Sequence, residues 1–238
     1  MERCEMRVSV FLPMRSGSQR VKHKNTRPFL ESGKSLFECK IKEVKELVDL
    51  GAVDEVVVST NDTQVIDQAQ PFLSANIKLD ERPDGLCSSS TKVTDLINYV
   101  PSVVGGDHVF WMHVTSPFMV AADYKKAIDL YFDNVINGSY DSLMSVNKIQ
   151  QFLWSDKLKK VINTDRSVNP WPNTQDLDPL YEINHSFYIS SIKNYMELED
   201  RIGLNPFLYE CEGLKKLDID WEEDFSLASV IARSMAIF

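Results

Sequence analysis

Two charged stretches near opposite ends of the chain have residue types and spacing that could do chemistry. Leu12 to Arg27 reads LPMRSGSQRVKHKNTR and carries Arg15, Arg20, Lys22, Lys24 and Arg27. No acidic residue lies between Glu5 and Glu31, although the 238-residue chain has a formal net charge of -9. A cationic loop with Gly17 and Ser18, following a short apolar run, suits a polyanion such as a nucleoside triphosphate, because backbone N–H groups and positive side chains act on it together. The plainer alternative is a solvated basic turn. Near the other end, Asp218-Ile219-Asp220 sets two carboxylates two residues apart. In a strand they would point to one face, where like charges call for a cation or a proton between them. Mg²⁺ with one or two protein carboxylates and phosphate oxygens answers that need. The plainer alternative here is an exposed strand end. Glu222, Glu223 and Asp224 follow and suit the positive end of a helix.

Other short motifs carry less. Gly33-Lys34-Ser35 has the ending of a Walker A loop, but the position of that loop's first glycine is Pro28. Ser35 with Glu38 reads instead as a capping box. The glycine fingerprint of dinucleotide-binding folds is absent. Cys4, Cys39, Cys87 and Cys211 have no CxxC spacing and read as buried or free thiols. The four histidines form no metal pattern. His113 precedes Thr115-Ser116-Pro117 and reads as either a site residue or a core residue with a satisfied ring. His108 and His185 suggest no role. Trp171, between Pro170 and Pro172, reads as a loop-packing residue.

The elements that must position these residues follow from periodicity. Met6 to Met14 reads as a strand apolar on both faces. Phe37, Ile41, Val44 and Val48 give a helix to about Leu50, ended by Gly51. Strands are expected at Val56–Thr60, Val109–Val114, Asp141–Val146, Phe187–Ile189, Phe207–Glu210 and Leu217–Ile219. Helices are expected after Asn61-Asp62, over Val93–Val100, around Tyr124–Val135, and at the end through Phe225, Leu227, Ala228, Val230 and Ile231. Asp80 to Lys92 reads as a Ser-rich loop, and Gln150 to Pro179 as a polar excursion from the sheet. Alternating strands and helices specify an α/β fold: a mostly parallel sheet flanked by helices, in a single domain spanning residues 1–238. Ligands in such sheets sit beyond the carboxyl ends of the strands, which gathers Arg15 to Asn25, Asn61, Asp62, Arg82 and Thr115-Ser116 on one rim. An acidic chain without a broad basic face is not built for duplex nucleic acid. Its apolar runs are too short to cross a membrane, its start does not read as a secretory signal, and the expected location is the cytoplasm.

Taken in order, these motifs resemble the acylneuraminate cytidylyltransferases, the CMP-sialic acid synthetases. Leu12 to Ser18 with Lys24-Asn25 is similar to their N-terminal signature, and Val57 to Asp62 to their second strand. Arg82-Pro83 with Leu86 matches their next loop, and Thr115-Ser116-Pro117 their TSP turn. Gln175-Asp176-Leu177 with Pro179 to Glu182 resembles the approach to their substrate face, and Asp218 to Phe225 their metal motif. The resemblance covers nearly the whole chain. It implies a Rossmann-like nucleotidyltransferase fold and transfer of CMP from CTP to the anomeric hydroxyl of a small acidic 2-keto sugar, with release of pyrophosphate. It also implies Mg²⁺ and a homodimer whose excursion, residues 150–180, reaches the partner. Carried over residue by residue, it gives Arg15, Lys24 and Asp220 catalytic roles. The nucleotide falls to Pro13, Met14, Arg15, Gly17, Ser18, Lys24, Asn25 and Arg82. The acceptor falls to His113, Thr115, Ser116, Gln175 and Tyr188, and the metal to Asp218 and Asp220. Three positions depart from the pattern: His113 stands where the family often has Gln, Asn173 and Thr174 where it often has Arg, and Gln19-Arg20 where many members have Lys-Gly. The acceptor therefore stays open among N-acetylneuraminate, legionaminate, pseudaminate and another nonulosonate. Further alternatives are 3-deoxy-manno-octulosonate or a phosphonate as acceptor, and a non-catalytic nucleotide-binding homologue.

Overall fold

The structure is a computed structural model that describes residues 6–235, so Cys4 lies outside the described residues. In chain order the strands are β1 (Val8–Pro13), β2 (Glu55–Thr60), β3 (Ile77–Glu81), β4 (His108–Met112), β5 (Ser142–Ile149), β6 (Trp154–Ser155), β7 (Lys160–Val161), β8 (Leu180–Ser191) and β9 (Pro206–Glu210). The helices are α1 (Leu36–Asp49), α2 (Thr63–Ala69), α3 (Val93–Tyr99), α4 (Ala121–Tyr131), α5 (Ile192–Glu197) and α6 (Glu222–Met235). Seven strands form one sheet in the order β3-β2-β1-β4-β8-β5-β9. The first four are parallel, β8 runs antiparallel to both β4 and β5, and β9 is parallel to β5. This is the expected mostly parallel α/β sheet.

The apolar strands alternate between two cores, as a pleated sheet covered on both faces requires. Val8, Val10 and Leu12 of β1 share one core with Val56, Val58, Phe110 and Met112, and that core is closed by α1 and α4 through Ile41, Val44, Tyr124 and Tyr131. Phe11, Val57, Val109 and Trp111 face the other way and pack with Ile97, Tyr188 and Tyr195. A third cluster matters most for function. Val21 of the basic stretch, with Phe29 and Leu30 just after it, packs with Ile219, Phe225 and Ala228 from the chain's end. Phe29 and Phe225 meet edge to face at 5.6 Å, a pair worth about 0.5–1.5 kcal/mol beyond its area. Ser229 donates a 2.6 Å hydrogen bond to the Phe29 carbonyl. These contacts bring two stretches some two hundred residues apart into one wall.

Local signals behave as read: the Ser35–Glu38 capping box opens α1, Gly51 at φ 62 follows its end, and Asp62 caps α2. Several expectations need correction. Asp80 and Glu81 belong to strand β3, not to a loop; its exposed and half-buried residues hide the strand from a hydrophobic pattern. β8 runs for 12 residues, well beyond Phe187–Ile189; its first half mixes apolar with polar residues and is largely exposed, which hides it from a hydrophobic pattern. Helix α4 begins at Ala121 and passes into a π-turn at Phe132–Ile136. Leu217–Ile219 is not a strand: a 3₁₀ turn at Gly213–Lys216 leads into an extended segment outside the sheet. The excursion holds the β6–β7 hairpin and is organised by Asn163, whose buried side chain accepts from Leu153 N–H and donates to the Gln151 carbonyl. Among the described residues, no helix is long and apolar enough to cross a membrane.

Candidate active site

The basic loop leaves β1 and is pinned at once. Met14 N–H donates to the Ser59 carbonyl at 2.9 Å, and Ser16 N–H donates to Asn61 Oδ1 at 3.0 Å. Gly17 turns the chain at φ 71, a backbone region that favours glycine. Arg82 was expected at the nucleotide. Its side chain is buried, and it donates to the Met14 carbonyl and, through Nε, to Cys87 Sγ at 3.3 Å. It braces the loop from beneath while also lining the cavity beside it. Asn25 is nearly buried, with its carbonyl accepting from Phe37 N–H.

The loop walls three adjoining cavities of about 400, 200 and 350 Å³, all at the carboxyl ends of the parallel strands. Arg15 lines all three. Ser18, Lys24 and Asn25 line the first two, Gly17 the second, and His113 the first and third. Pro13 and Met14 line the first and third, and Thr115 the first.

The carboxylates arrive from the other end of the chain. Ile219 is fully buried, and its N–H donates to the Thr115 carbonyl at 2.9 Å. Lys24 Nζ donates to the Ile219 carbonyl at 2.8 Å, and Arg20 pairs with Asp220 at 2.7 Å. The expected convergence therefore holds, but its cause is different. Asp218 and Asp220 are placed by an anchored isoleucine between them and by Asp224, whose carboxylate accepts from the N–H groups of Asp220 and Trp221. Beyond the helix-dipole role expected of it, Asp224 shapes the carboxylate segment directly.

Burial raises the Asp218 carboxyl above its usual range, and the Asp220 charge adds to this against the opposing pull of Thr115, Lys24 and His185. Burial likewise lowers Lys24, with Asp218 and Asp220 pulling it back. Asp218 Oδ1 is sealed from solvent and has no hydrogen-bond partner among the described residues. An unpartnered buried carboxylate oxygen beside a second carboxylate is a fitting donor pair for a hard divalent cation. Among the described residues, no group of three or more His, Cys, Asp or Glu is placed to hold a metal ion by itself.

The expected acceptor residues divide. His113 Nε2 accepts from Trp111 Nε1 at 2.8 Å. The indole can only donate, so a neutral ring carries its proton on Nδ1. Burial, then Arg201, hold this histidine well below its usual range, so it is neutral. Thr115 lines the first cavity, and its carbonyl holds the Ile219 N–H. Ser116 is fully buried: its hydroxyl accepts from Ser186 Oγ at 2.8 Å and its carbonyl from Lys40 Nζ at 2.9 Å. It is a structural residue rather than a ligand contact. Tyr188 is buried behind the wall, its hydroxyl 2.6 Å from His185 Nδ1. Gln175 lies on the exposed excursion, where its carbonyl accepts from Gln150, and it lines none of the three cavities. Conversely, His185 and Arg201 line the third cavity without a signal in the sequence.

A description of the cytidylyltransferase family matches residues 9–238. The chain belongs to the cytidylyltransferase family. Its members are nucleotidyltransferases, so the chain is read as an enzyme of that class. Among individual relatives, this cytidylyltransferase is 28% identical over 235 residues to the CMP-N,N'-diacetyllegionaminic acid synthase of Legionella pneumophila, covering 93% of this chain and 94% of the relative. It is 25% identical over 223 residues to the pseudaminic acid cytidylyltransferase of Campylobacter jejuni serotype O:2, covering 92% and 94%. The solved structure of a CMP:2-keto-3-deoxy-manno-octonic acid synthetase complexed with CTP superposes with a TM-score of 0.62 at 17% identity, covering 97% of this chain and 98% of that one. At that identity the likeness speaks for the fold alone.

Proposed function

We propose that this cytidylyltransferase transfers CMP from CTP to the anomeric hydroxyl of a nonulosonic acid and releases pyrophosphate. The observation that carries the reading is the meeting of the basic loop with the carboxylate segment: Lys24 on the Ile219 carbonyl, between Asp218 and Asp220, and Arg20 on Asp220. The two relatives whose names specify nonulosonic acids support the acceptor class.

Transfer of this kind needs in-line positioning and offset of charge more than covalent help. The N–H groups near Gly17 and Ser18 cradle the phosphates, and Arg15 and Lys24 hold the triphosphate and offset the charge that builds on the departing pyrophosphate. Asn25 reads the pyrimidine edge. Arg82 acts on the nucleotide mainly through Met14, whose carbonyl it holds. His113 and Thr115 face the acceptor. Asp218 and Asp220 would hold Mg²⁺, which supplies charge neutralisation on the phosphates and acidifies the attacking hydroxyl. We read the working form as a cytoplasmic homodimer. Val168 and Trp171, 83% and 67% exposed on the excursion, are consistent with a covered arm, and Gln175 would act on the partner's site.

The test is to mix the protein with CTP, Mg²⁺ and a panel containing N-acetylneuraminate, legionaminate, pseudaminate and 3-deoxy-manno-octulosonate, then identify CMP-sugars by mass and measure pyrophosphate. A CMP-nonulosonate, made from CTP in preference to UTP and ATP, is expected. Binding of CTP with no product from any acid would favour a nucleotide-binding role. Product from the octulosonate alone would move the acceptor.

A further inference from the structure

We propose that Arg201 is the residue that recognises the acceptor's carboxylate, on a platform built by Trp111, Tyr188 and His185. This rests on the function proposed above and specifies how that site distinguishes its acid.

Arg201 lines the 350 Å³ cavity together with Trp111, His113 and His185. Its guanidinium lies over the Tyr188 ring at 4.0 Å and the Trp111 ring at 4.8 Å. One amine, Nη2, donates to the Tyr188 hydroxyl at 3.3 Å. No carboxylate lies within ion-pair distance of it among the described residues; the adjacent Asp200 accepts from the Ile202 N–H instead. No carboxylate lines the cavity either. A half-buried guanidinium lying over two rings, with donors to spare and no carboxylate within ion-pair distance among the described residues, is prearranged for a planar anion that it can grip with two parallel hydrogen bonds.

The backbone supplies an independent observation. His185 is not glycine, yet its φ is 62. It sits where the β5–β8 register slips between Met144 and Val146. Such irregularities re-aim side chains and gather at active sites, as does left-handed backbone in residues with a Cβ. Here the slip turns the His185 ring into the cavity and against the Tyr188 hydroxyl, which also receives Arg201. The charge of Arg201 lowers both His113 and His185, second only to burial, so both rings stay neutral around it. Arg15, Arg82 and Lys92 also line this cavity, but Arg82 is committed to the Met14 carbonyl, and Arg201 is the cation set beside the neutral rings. Polyphosphate has Arg15, Lys22 and Lys24 in the adjoining cavity, so the anion assigned to Arg201 is one with a single charge on a compact body: the carboxylate of a 2-keto sugar acid.

The experiment measures equilibrium binding and turnover of pseudaminate, N,N'-diacetyllegionaminate and N-acetylneuraminate, and of their methyl esters, by wild-type protein, Arg201→Gln and Arg201→Lys. Calorimetric CTP binding serves as the fold control. Arg201→Gln is expected to weaken acid binding and raise acceptor KM by roughly 10- to 100-fold, the scale of a charge-assisted pair, while CTP affinity and CTP KM stay within about twofold. Arg201→Lys should recover part of the loss, and the methyl ester should bind wild type and Arg201→Gln equally. A rise in CTP KM with acceptor KM unchanged, or an ester penalty that survives in Arg201→Gln, overturns the assignment. Acid binding that depends on Arg201 without turnover keeps the assignment and removes the proposed activity. Turnover unaffected in Arg201→Gln does the reverse, and wild-type protein that neither binds nor converts any acid removes both.

Discussion

The two halves of the sheet build their parts of the site in different ways. On the parallel half, β1 delivers Arg15, Gly17, Ser18, Lys24 and Asn25 in one continuous loop, held by a backbone hydrogen bond to β2, by the Asn61 side chain just after β2 and by a buried arginine from the segment after β3. Where the mixed half begins, the wall is assembled from single residues: His113 after β4, the last parallel strand, His185 at a register slip in β8, and Arg201 beyond α5. A contiguous loop can present many N–H groups and charges to a polyanion. A wall of scattered side chains can be altered one residue at a time. The first arrangement suits the invariant part of the reaction, the nucleotide, and the second suits the part that varies, the acid.

Variants of the carboxylate pair should break this division most severely, because both halves depend on it. Asp220→Asn is expected to reduce kcat by ~10³-fold or more, roughly 4 kcal/mol of barrier, with far-UV circular dichroism and Tm close to wild type. Activity at the wild-type level would mean that the pair is only structural. Lys24→Ala should come next. It removes a cation on the donor side, so turnover should fall by more than about tenfold, at least roughly 1.4 kcal/mol, with CTP kinetics affected more than acceptor KM. An effect confined to acceptor KM would erase the distinction between the halves.

The smallest expected effect tests a brace under the turn that carries Thr115. Lys40 of α1 is fully buried and donates to the carbonyls of Ser116 and Met119, at 2.9 and 3.1 Å, and to the Tyr124 hydroxyl. Burial draws this lysine down to about 7, with Glu43 opposing. Between that value and the ordinary lysine range, the unfolded chain binds one proton more than the folded one. Stability from this group is therefore fully present above the ordinary lysine pKa and is lost as pH falls through about 7. Denaturant unfolding from pH 7.5 to 9.5 should show wild-type stability rising by up to about 1.4 kcal/mol per pH unit from this source. Lys40→Met should lose that slope. It should also lose about 1–3 kcal/mol overall from carbonyls left without a donor, and raise acceptor KM only a few-fold. An identical pH slope in the variant would show that Lys40 stays charged in its three-acceptor cage.

Much of the donor side is legible in the sequence because its information is local. Gly17, the Ser35 capping box and the apolar run of β1 each declare a backbone conformation within a few residues. The run of positive charge from Arg15 to Arg27 declares a ligand type. Arg82 was legible as a site residue, but its grip on the Met14 carbonyl was not, since the two lie sixty-eight residues apart. Asp218 and Asp220 were rightly paired on the wrong grounds. A strand was expected to align them, whereas a buried isoleucine, Lys24 and Asp224 do so. Ser116 looked like a ligand contact from its place in the TSP turn, but its hydroxyl points to Ser186 across the sheet.

By itself, then, the sequence determined the alternation of strands and helices, the cationic loop and the nature of the ligand that loop would take, because propensity, periodicity and charge act over short distances. Only the tertiary structure decided which strand lies beside which, that Phe29 and Phe225 bring the two charged stretches face to face, and that His185 and Arg201 share a cavity with Trp111. Those outcomes depend on packing between residues that are remote along the chain, and no local pattern carries that information.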